Sequence, residues 1–299
     1  MTRSNLKRLL LQAAFVLSWS SGYIGAKLGT QRGGAFNLLF WRFLLVSVCL
    51  GLFLNVRLLT VSWAQIRHYA VIGFLSQFLY LSCLYVAIQN GLPPGIAAII
   101  AALQPLMTAA LSTGSAVERS GGWQWVGLMI SFAGVSIVIA GQYGSGGQSV
   151  DLVMYLLPLA SALGLTLATL YERRTVQHQG AGLVLPLFIQ SLLTLVGFTA
   201  AVLYTDTLSI PHDPDVLISI VWLTLFSTFV AYLSLWMLLR VMTATHVAAL
   251  VYLEPPVTLV WAALMFGDVI AGSTYAGMAV VVAGLLLVRL KRPTVACAS

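Results

Sequence analysis

The sequence repeats itself once at a fixed offset of 150 positions, and this duplication restricts its possible folds more than any other feature. Leu103-Gln104-Pro105 returns as Leu253-Glu254-Pro255. Around it Ala98 matches Ala248, Thr108 matches Thr258 and Glu118 matches Asp268. Further on, Gly127 matches Gly277, Ala133 matches Ala283, Gly134 matches Gly284 and Val138 matches Val288. Self-similarity at a constant offset marks an internal repeat, and here the unit is half the chain. In each copy a polar residue precedes a proline inside an apolar run. That combination is costly in lipid and is therefore the first candidate for function.

The medium follows from charge. Only 8% of the 299 residues are charged and 60% are hydrophobic, whereas a soluble domain carries roughly 25% charged residues. The chain is read as an integral membrane protein. A helical span needs roughly 20 mostly apolar residues, and ten runs qualify: 9–28, 36–55, 69–89, 95–114, 123–141, 151–171, 183–204, 216–239, 245–266 and 271–290. The connections leave no room for a soluble domain. Residues 1–141 hold the first five spans, 142–150 form a linker rich in Gly, Ser and Gln, and 151–299 hold the second five with a short tail. Five is odd, so the second half must run in the opposite sense. The expected fold is all-α, ten transmembrane helices in two inverted-topology repeats.

Basic residues gather in cytoplasmic loops. With both ends on one side, that side carries Arg3, Lys7, Arg8, Arg57, Arg67, Arg119, Arg173, Arg174, Arg240, Arg289, Lys291 and Arg292, twelve of the fifteen. Lys27 and Arg32 fall opposite, with Asp151, Asp206, Asp213, Asp215 and Asp268. The termini are expected in the cytoplasm and the linker outside it. The net charge of +7 is spread singly over loops and makes no stripe for nucleic acid. Cys49, Cys83 and Cys297 have neither metal nor redox-motif spacing, and no cofactor or metal is expected. The start, Arg3-Lys7-Arg8 before an apolar run, imitates a signal peptide. The run continues to Leu28, beyond the ~7–15 residues of a signal core, so a retained first helix is expected.

The candidate site residues are the polar and aromatic groups within spans. Glu254 lies about 12 Å into the ninth span at 1.5 Å per residue, with Gln104 at the equivalent depth. A carboxylate there is costly unless protonated, hydrated or paired. It could carry a proton, meet a substrate ammonium, or simply bond to carbonyls freed by Pro255 and Pro256, which lack backbone donors. Pro105, Pro255 and Pro256 are expected to bend their helices. Trp19 and Tyr23 share a helix face, as do Gln77 and Tyr80; together they could grip an amphipathic solute, or pack ordinarily. Thr224, Ser227, Thr228 and Ala231 form a small, partly polar face that either lines a wet cavity or bonds back to helix carbonyls. Arg42, near the outer end of the second span, is expected to snorkel or pair, with a gate as the alternative. His246 reads as an interfacial histidine. Lys27, Glu118 and Asp268 lie near helix ends and read as structural, and the glycines seven apart in the fifth and tenth spans read as packing faces.

Several of these residues fall into one pattern. Trp19, Gly22 and Lys27 resemble the W-x-x-G…K opening of the EamA family within the drug/metabolite transporter superfamily, and Arg42-Phe43 resembles its second-span R-F. The series Pro105–Glu118–Gly127–Gly134, repeated as Pro255–Asp268–Gly277–Gly284, resembles its P…E…G…G pattern, and the likeness covers nearly the whole chain. The resemblance implies a ten-helix metabolite exporter of the bacterial inner membrane. Its cavity would be lined mainly by the first, third, fourth, sixth, eighth and ninth helices. Within the family the chain is most similar to amino-acid exporters such as the YddG type, which handle aromatic amino acids. Two departures stand out: Leu163 sits where the second copy would repeat Trp19, and Gln104 opposite Glu254 makes the halves chemically unequal.

Other functions fit less well. Sugar-phosphate or nucleotide-sugar carriers need Lys or Arg at the midplane, and none falls there in these spans. Small proton-coupled multidrug exporters of the superfamily place a glutamate in the first span, which has none here. One glutamate is thin support for a sodium site. An enzyme would show H-E-x-x-H, paired intramembrane aspartates or a G-x-S-x-G elbow; Gly144-Ser145-Gly146 has the wrong spacing. The expectation is therefore an exporter of small metabolites, most simply hydrophobic or aromatic amino acids, working by alternating access. Facilitative transport is favoured, with proton coupling as the alternative. The expected partners are a small-molecule substrate and the lipid bilayer. The oligomeric state is open and compatible with a monomer.

Overall fold

The computed structural model describes residues 3–54, 61–111, 122–144, 150–175, 184–242, 247, 250–268 and 270–290. Among them every regular element is helical. In chain order these are α1 (Arg3–Gly33), α2 (Ala35–Leu52), α3 (Trp63–Gln89) and α4 (Pro94–Ala101 and Gln104–Leu111). Then come α5 (Gly122–Gly144), α6 (Leu152–Thr175), α7 (Val184–Tyr204) and α8 (Pro214–Trp222, Leu223–Val230 and Ala231–Val241). Last are α9 (Glu254–Phe266, entered by a 3-10 turn at Val251–Leu253) and α10 (Gly272–Leu290). Glu118, His246, Arg57, Arg119, Lys291, Arg292, Cys297 and linker residues 145–149 lie outside the described residues.

Six of these helices are long and apolar enough to cross a bilayer: Leu6–Gly33, Ala35–Leu52, Trp63–Gln89, Leu152–Glu172, Val184–Tyr204 and Pro214–Leu238. Four shorter apolar helices, Pro94–Thr108, Trp125–Gly141, Val251–Phe266 and Gly272–Gly284, accompany them. Large apolar side chains such as Met129, Val196 and Leu264 point outward and stay exposed, a surface suited to lipid and not to water. The chain is a multi-pass membrane protein.

Helix contacts come in exchanged pairs. α1 packs on α8 as α6 packs on α3; α1 packs on α9 as α6 packs on α4; α2–α7, α4–α9 and α5–α10 are contacts between equivalents. The α5–α10 crossing shows the relation at atomic scale. A Cβ on Gly277 would lie 2.6 Å from the Gly134 carbonyl oxygen, and one on Gly284 2.6 Å from that of Gly127. Each glycine thus faces the mate of its own repeat equivalent, so the two helices run antiparallel. Between these contacts Ser131 donates to the carbonyl of Val281, its own equivalent, at 3.1 Å. The glycines let the two backbones approach closely, the usual role of small residues between membrane helices.

Both Pro motifs interrupt their helices at the same place. α4 breaks at Ala102–Leu103 and restarts at Gln104; α9 begins at Glu254 after the 3-10 turn. Pro105, Pro255 and Pro256 sit in the first turn of the restarted helix, where a missing N–H costs nothing. A second paired irregularity has no counterpart in the sequence reading. α3 widens into a π-helix at Phe74–Leu79 and α8 does so at Leu223–Val230, their first residues 149 positions apart.

Ionic contacts collect at one end. Lys27 pairs with Asp268 and lies 4.6 Å from the Phe266 ring centroid; Arg32 pairs with Asp213 at 2.8 Å and Asp215 at 3.9 Å. Asn37 donates to Ser209, and the Trp41 indole to the Ser209 carbonyl. The Arg32 guanidinium beside it holds the Asp213 carboxyl below the usual carboxylate range. These contacts fasten the end of α1 and the start of α2 to the start of α8 and the turn before α10.

Candidate functional site

The main cavity has a volume of about 500 Å³, within the range of small-molecule sites. It runs from Tyr23, Arg42 and Tyr85 to Phe53 and Val184, at the far ends of α2 and α7 from the ionic cluster. On the side toward the ionic cluster its wall carries a polar bridge: Arg42 donates to the Tyr85 hydroxyl at 2.8 Å and to Thr228 Oγ1 at 3.2 Å. Aromatic and aliphatic side chains dominate the wall, among them Trp19, Phe43, Leu81, Leu84, Phe229 and Tyr232.

Five of the expected site residues line this cavity: Trp19, Tyr23, Gln77, Tyr80 and Thr228. The Trp19 ring lies 5.5 Å from Phe15 and 6.0 Å from Tyr232 between centroids. Gln77 donates to Gln190 Oε1 at 3.2 Å and accepts from Thr194 at 3.3 Å, so its amide also ties α3 to α7. Both π segments reach the wall, through Ser76 and Gln77 on α3 and through Ser227, Thr228 and Phe229 on α8. Thr228 donates to the carbonyl of Leu223 five residues back, the reach a π turn provides. Short π segments concentrate at functional sites.

Three expected residues do not line it. Gln104 Nε2 donates to Thr108 one turn on, and its carbonyl accepts from Thr108 and Thr166, which commits it to the α4–α6 contact. Thr224 is buried at 1% exposure. Glu254 sits behind the wall, 5% exposed, interacting electrostatically with Tyr23 and Tyr80. Its Oε1 and the Tyr23 hydroxyl are both buried and interact with each other, without the distance and angle of a regular hydrogen bond to any described group.

The set of lining helices also differs from the expected one. α2 and α7 contribute where α4 and α9 were expected. The cause is close packing: Pro94–Ala101 is buried at every position, and a Cβ on Gly95 would meet Leu259 at 2.3 Å. Arg42 differs most. It neither snorkels nor finds an acid among the described residues; it is 5% exposed and forms part of the cavity wall. It is the eighth residue of α2, about 10 Å in at 1.5 Å per residue.

These features define a polytopic helical membrane protein with a solute-sized, largely apolar internal cavity. The profile of the EamA-like transporter family matches residues 6–140 and again 152–290, and the chain belongs to that family. A relative in Escherichia coli (strain K12), named "Probable amino-acid metabolite efflux pump", is 27% identical over 286 residues, covering 93% of each chain. One of the same name in Salmonella typhimurium (strain LT2) is 26% identical, covering 91% of each. An E. coli K12 protein named "Uncharacterized inner membrane transporter YedA" is 23% identical, covering 93% of this chain and 89% of the relative. A solved crystal structure, 20% identical, shares the fold with a TM-score of 0.63, covering 97% of this chain and 100% of the other.

Proposed function

We propose that this protein exports small metabolites, foremost hydrophobic or aromatic amino acids, across the bacterial inner membrane by alternating access. Its ten apolar helices all cross the bilayer as two inverted five-helix repeats, 1–141 and 151–299, joined by the extracytoplasmic linker 142–150, with both termini cytoplasmic. The exchanged helix contacts and the antiparallel α5–α10 crossing support the inversion. Under that topology the ionic cluster is extracytoplasmic and the cavity reaches toward the cytoplasm, the arrangement from which an exporter loads. The observation that carries the reading is the cavity itself, about 500 Å³ with aromatic walls and few polar groups. The efflux-pump names of two relatives point the same way.

Transport is facilitative in this reading, because the buried carboxylate nearest the cavity, Glu254, stands behind Tyr23 and Tyr80 and not in the wall. One observation favours proton coupling instead: Glu254 is a buried carboxylate beside Tyr23 and Tyr80 with no cation paired to it among the described residues. Purified protein in liposomes separates the two. Labelled phenylalanine, tryptophan and leucine should enter saturably, indifferent to an imposed pH gradient, and Glu254→Gln should leave that unchanged. Acceleration by the gradient, lost in Glu254→Gln, would make the glutamate a proton carrier. Absence of saturable uptake by folded protein would remove the amino-acid assignment. In the same assay Trp19→Ala and Tyr80→Ala should each raise the half-saturation concentration at least about fivefold, since an aromatic contact is worth roughly 1 kcal/mol beyond its buried area. Wild-type kinetics in both would sink the aromatic wall as a binding surface.

A further inference from the structure

We infer that Arg42 is the anchor for a substrate carboxylate, so that the cavity selects apolar molecules bearing a single carboxylate; this rests on the transport reading above. A guanidinium withdrawn from water is expensive unless an anion compensates it. The other two described cations at this end of the molecule have acids: Lys27 has Asp268 and Arg32 has Asp213. Arg42, the most buried of the three, has none among the described residues. Among the described residues its hydrogen-bond partners are two neutral hydroxyls, of Tyr85 and Thr228, and the Phe43 ring 5.5 Å away offers a weak cation–π contact and no negative charge. A guanidinium carries five N–H donors. Two are engaged, and Nε is buried with no partner. The missing acceptor is a planar anion that takes parallel hydrogen bonds, which a carboxylate does.

The surroundings set the rest of the ligand. Tyr85 accepts from Arg42, which leaves its own hydroxyl proton to give to the same carboxylate. A lone guanidinium balances one negative charge, so a phosphate dianion or a diphosphate would remain uncompensated. Leu81, Leu84 and Phe229 offer apolar contact, Phe43 presents its ring to Arg42 at 5.5 Å, and Trp19 adds an aromatic face with one indole donor. An ammonium group is accommodated without being required: the Tyr23 and Tyr80 hydroxyls lie in the same wall, with Glu254 behind them. The carboxylate is therefore the primary determinant and the amine a secondary one.

The test compares four related probes on detergent-solubilised protein and in liposomes: phenylalanine, 3-phenylpropionate, phenethylamine and phenylalanine methyl ester. Binding is read by calorimetry and transport by competition with labelled phenylalanine. Wild-type protein should bind phenylalanine and 3-phenylpropionate and ignore the amine and the ester. Arg42→Gln should weaken both carboxylates roughly ten- to hundredfold, the range for a charge-assisted hydrogen bond. Arg42→Lys should restore part of that loss, because it keeps the charge without the planar fork. Thermal unfolding separates lost binding from lost structure, and Tyr85→Phe, which keeps the ring, should give a smaller loss in the same direction. Equal competition by ester and acid, or carboxylate binding indifferent to both Arg42→Gln and Tyr85→Phe, would overturn the inference while leaving amino-acid transport standing. Arg42-dependent binding of 3-phenylpropionate without phenylalanine transport would uphold it and remove the amino-acid assignment. Failure of wild-type protein to bind any carboxylate would overturn it outright.

Discussion

Replacing Gly277 with Leu should unfold or disassemble this protein, whereas Gly272→Ala, a few residues away, should do nothing measurable. A Cβ on Gly277 would stand 2.4 Å from Val138 Cγ2, 2.6 Å from the Gly134 carbonyl oxygen and 3.0 Å from the Val138 nitrogen. Two of those neighbours are backbone atoms of a helix held along its whole length, so they cannot step aside. Near Gly272 an added Cβ would meet nothing within 4 Å. Two effects compete in Gly277→Ala. Alanine gains about 1 kcal/mol of helix propensity, and overpacking costs about 1–3 kcal/mol, so a modest loss is expected. Leucine adds further atoms to the same gap, and the packing cost dominates. Thermal unfolding in detergent, followed by intrinsic fluorescence and size exclusion, should rank Gly272→Ala, Gly277→Ala and Gly277→Leu in that order. A stable, monodisperse Gly277→Leu variant would show that α5 and α10 are free to separate.

The second large effect is expected at Lys27 and Asp268. Their side chains are 16% and 22% exposed, between a surface pair, worth at most about 1 kcal/mol, and a fully buried one, where losing a partner costs about 3–5 kcal/mol. Asp268→Asn leaves the Lys27 ammonium facing the Phe266 ring with no counter-ion. A loss of about 1–3 kcal/mol is expected after allowing for residual solvent screening. The double variant Lys27→Met with Asp268→Leu should recover most of it, because the charge and its partner leave together. The pair also ties α1 to the turn before α10, so its loss should favour opening at that end. By 1.4 kcal/mol per factor of ten, labelling of a cysteine at Ser227 from the ionic end should rise about tenfold in Asp268→Asn. Unchanged labelling with an unchanged melting temperature would reduce the pair to a surface contact.

Much of the fold was legible because its determinants are local or periodic. The offset of 150 gave the duplication, and the glycine spacing gave the faces on which α5 and α10 cross. The Gln104-Pro105 and Glu254-Pro255 motifs marked helix breaks, since proline's missing N–H acts wherever it stands. What stayed hidden depends on tertiary neighbours. Arg42 stands visibly in an apolar run, but whether it snorkels, pairs or faces a cavity is decided by α3 and α8, distant in sequence. Its seven-residue distance from the start of α2 was the available signal, and it was read as an end position. Neither Gln104 nor Glu254 reaches the wall: Gln104 is held by Thr108 and Thr166, and Glu254 stands behind Tyr23 and Tyr80. The π turns carry no periodic signature at all.

Those π turns also record history. A π turn accommodates one residue more than the α-helical turn it replaces, and Phe74–Leu79 and Leu223–Val230 occupy equivalent places in the two halves. One insertion before the duplication would account for both; two separate insertions would have to fall within one position of each other in the repeat. On that account the ancestral half-unit already had a widened turn on its third helix. The self-matching α5–α10 face is likewise the one that two copies of a single half-unit would present to each other. The inequality of Gln104 and Glu254, and an arginine in one second helix only, are what the fused chain gained by letting its halves diverge.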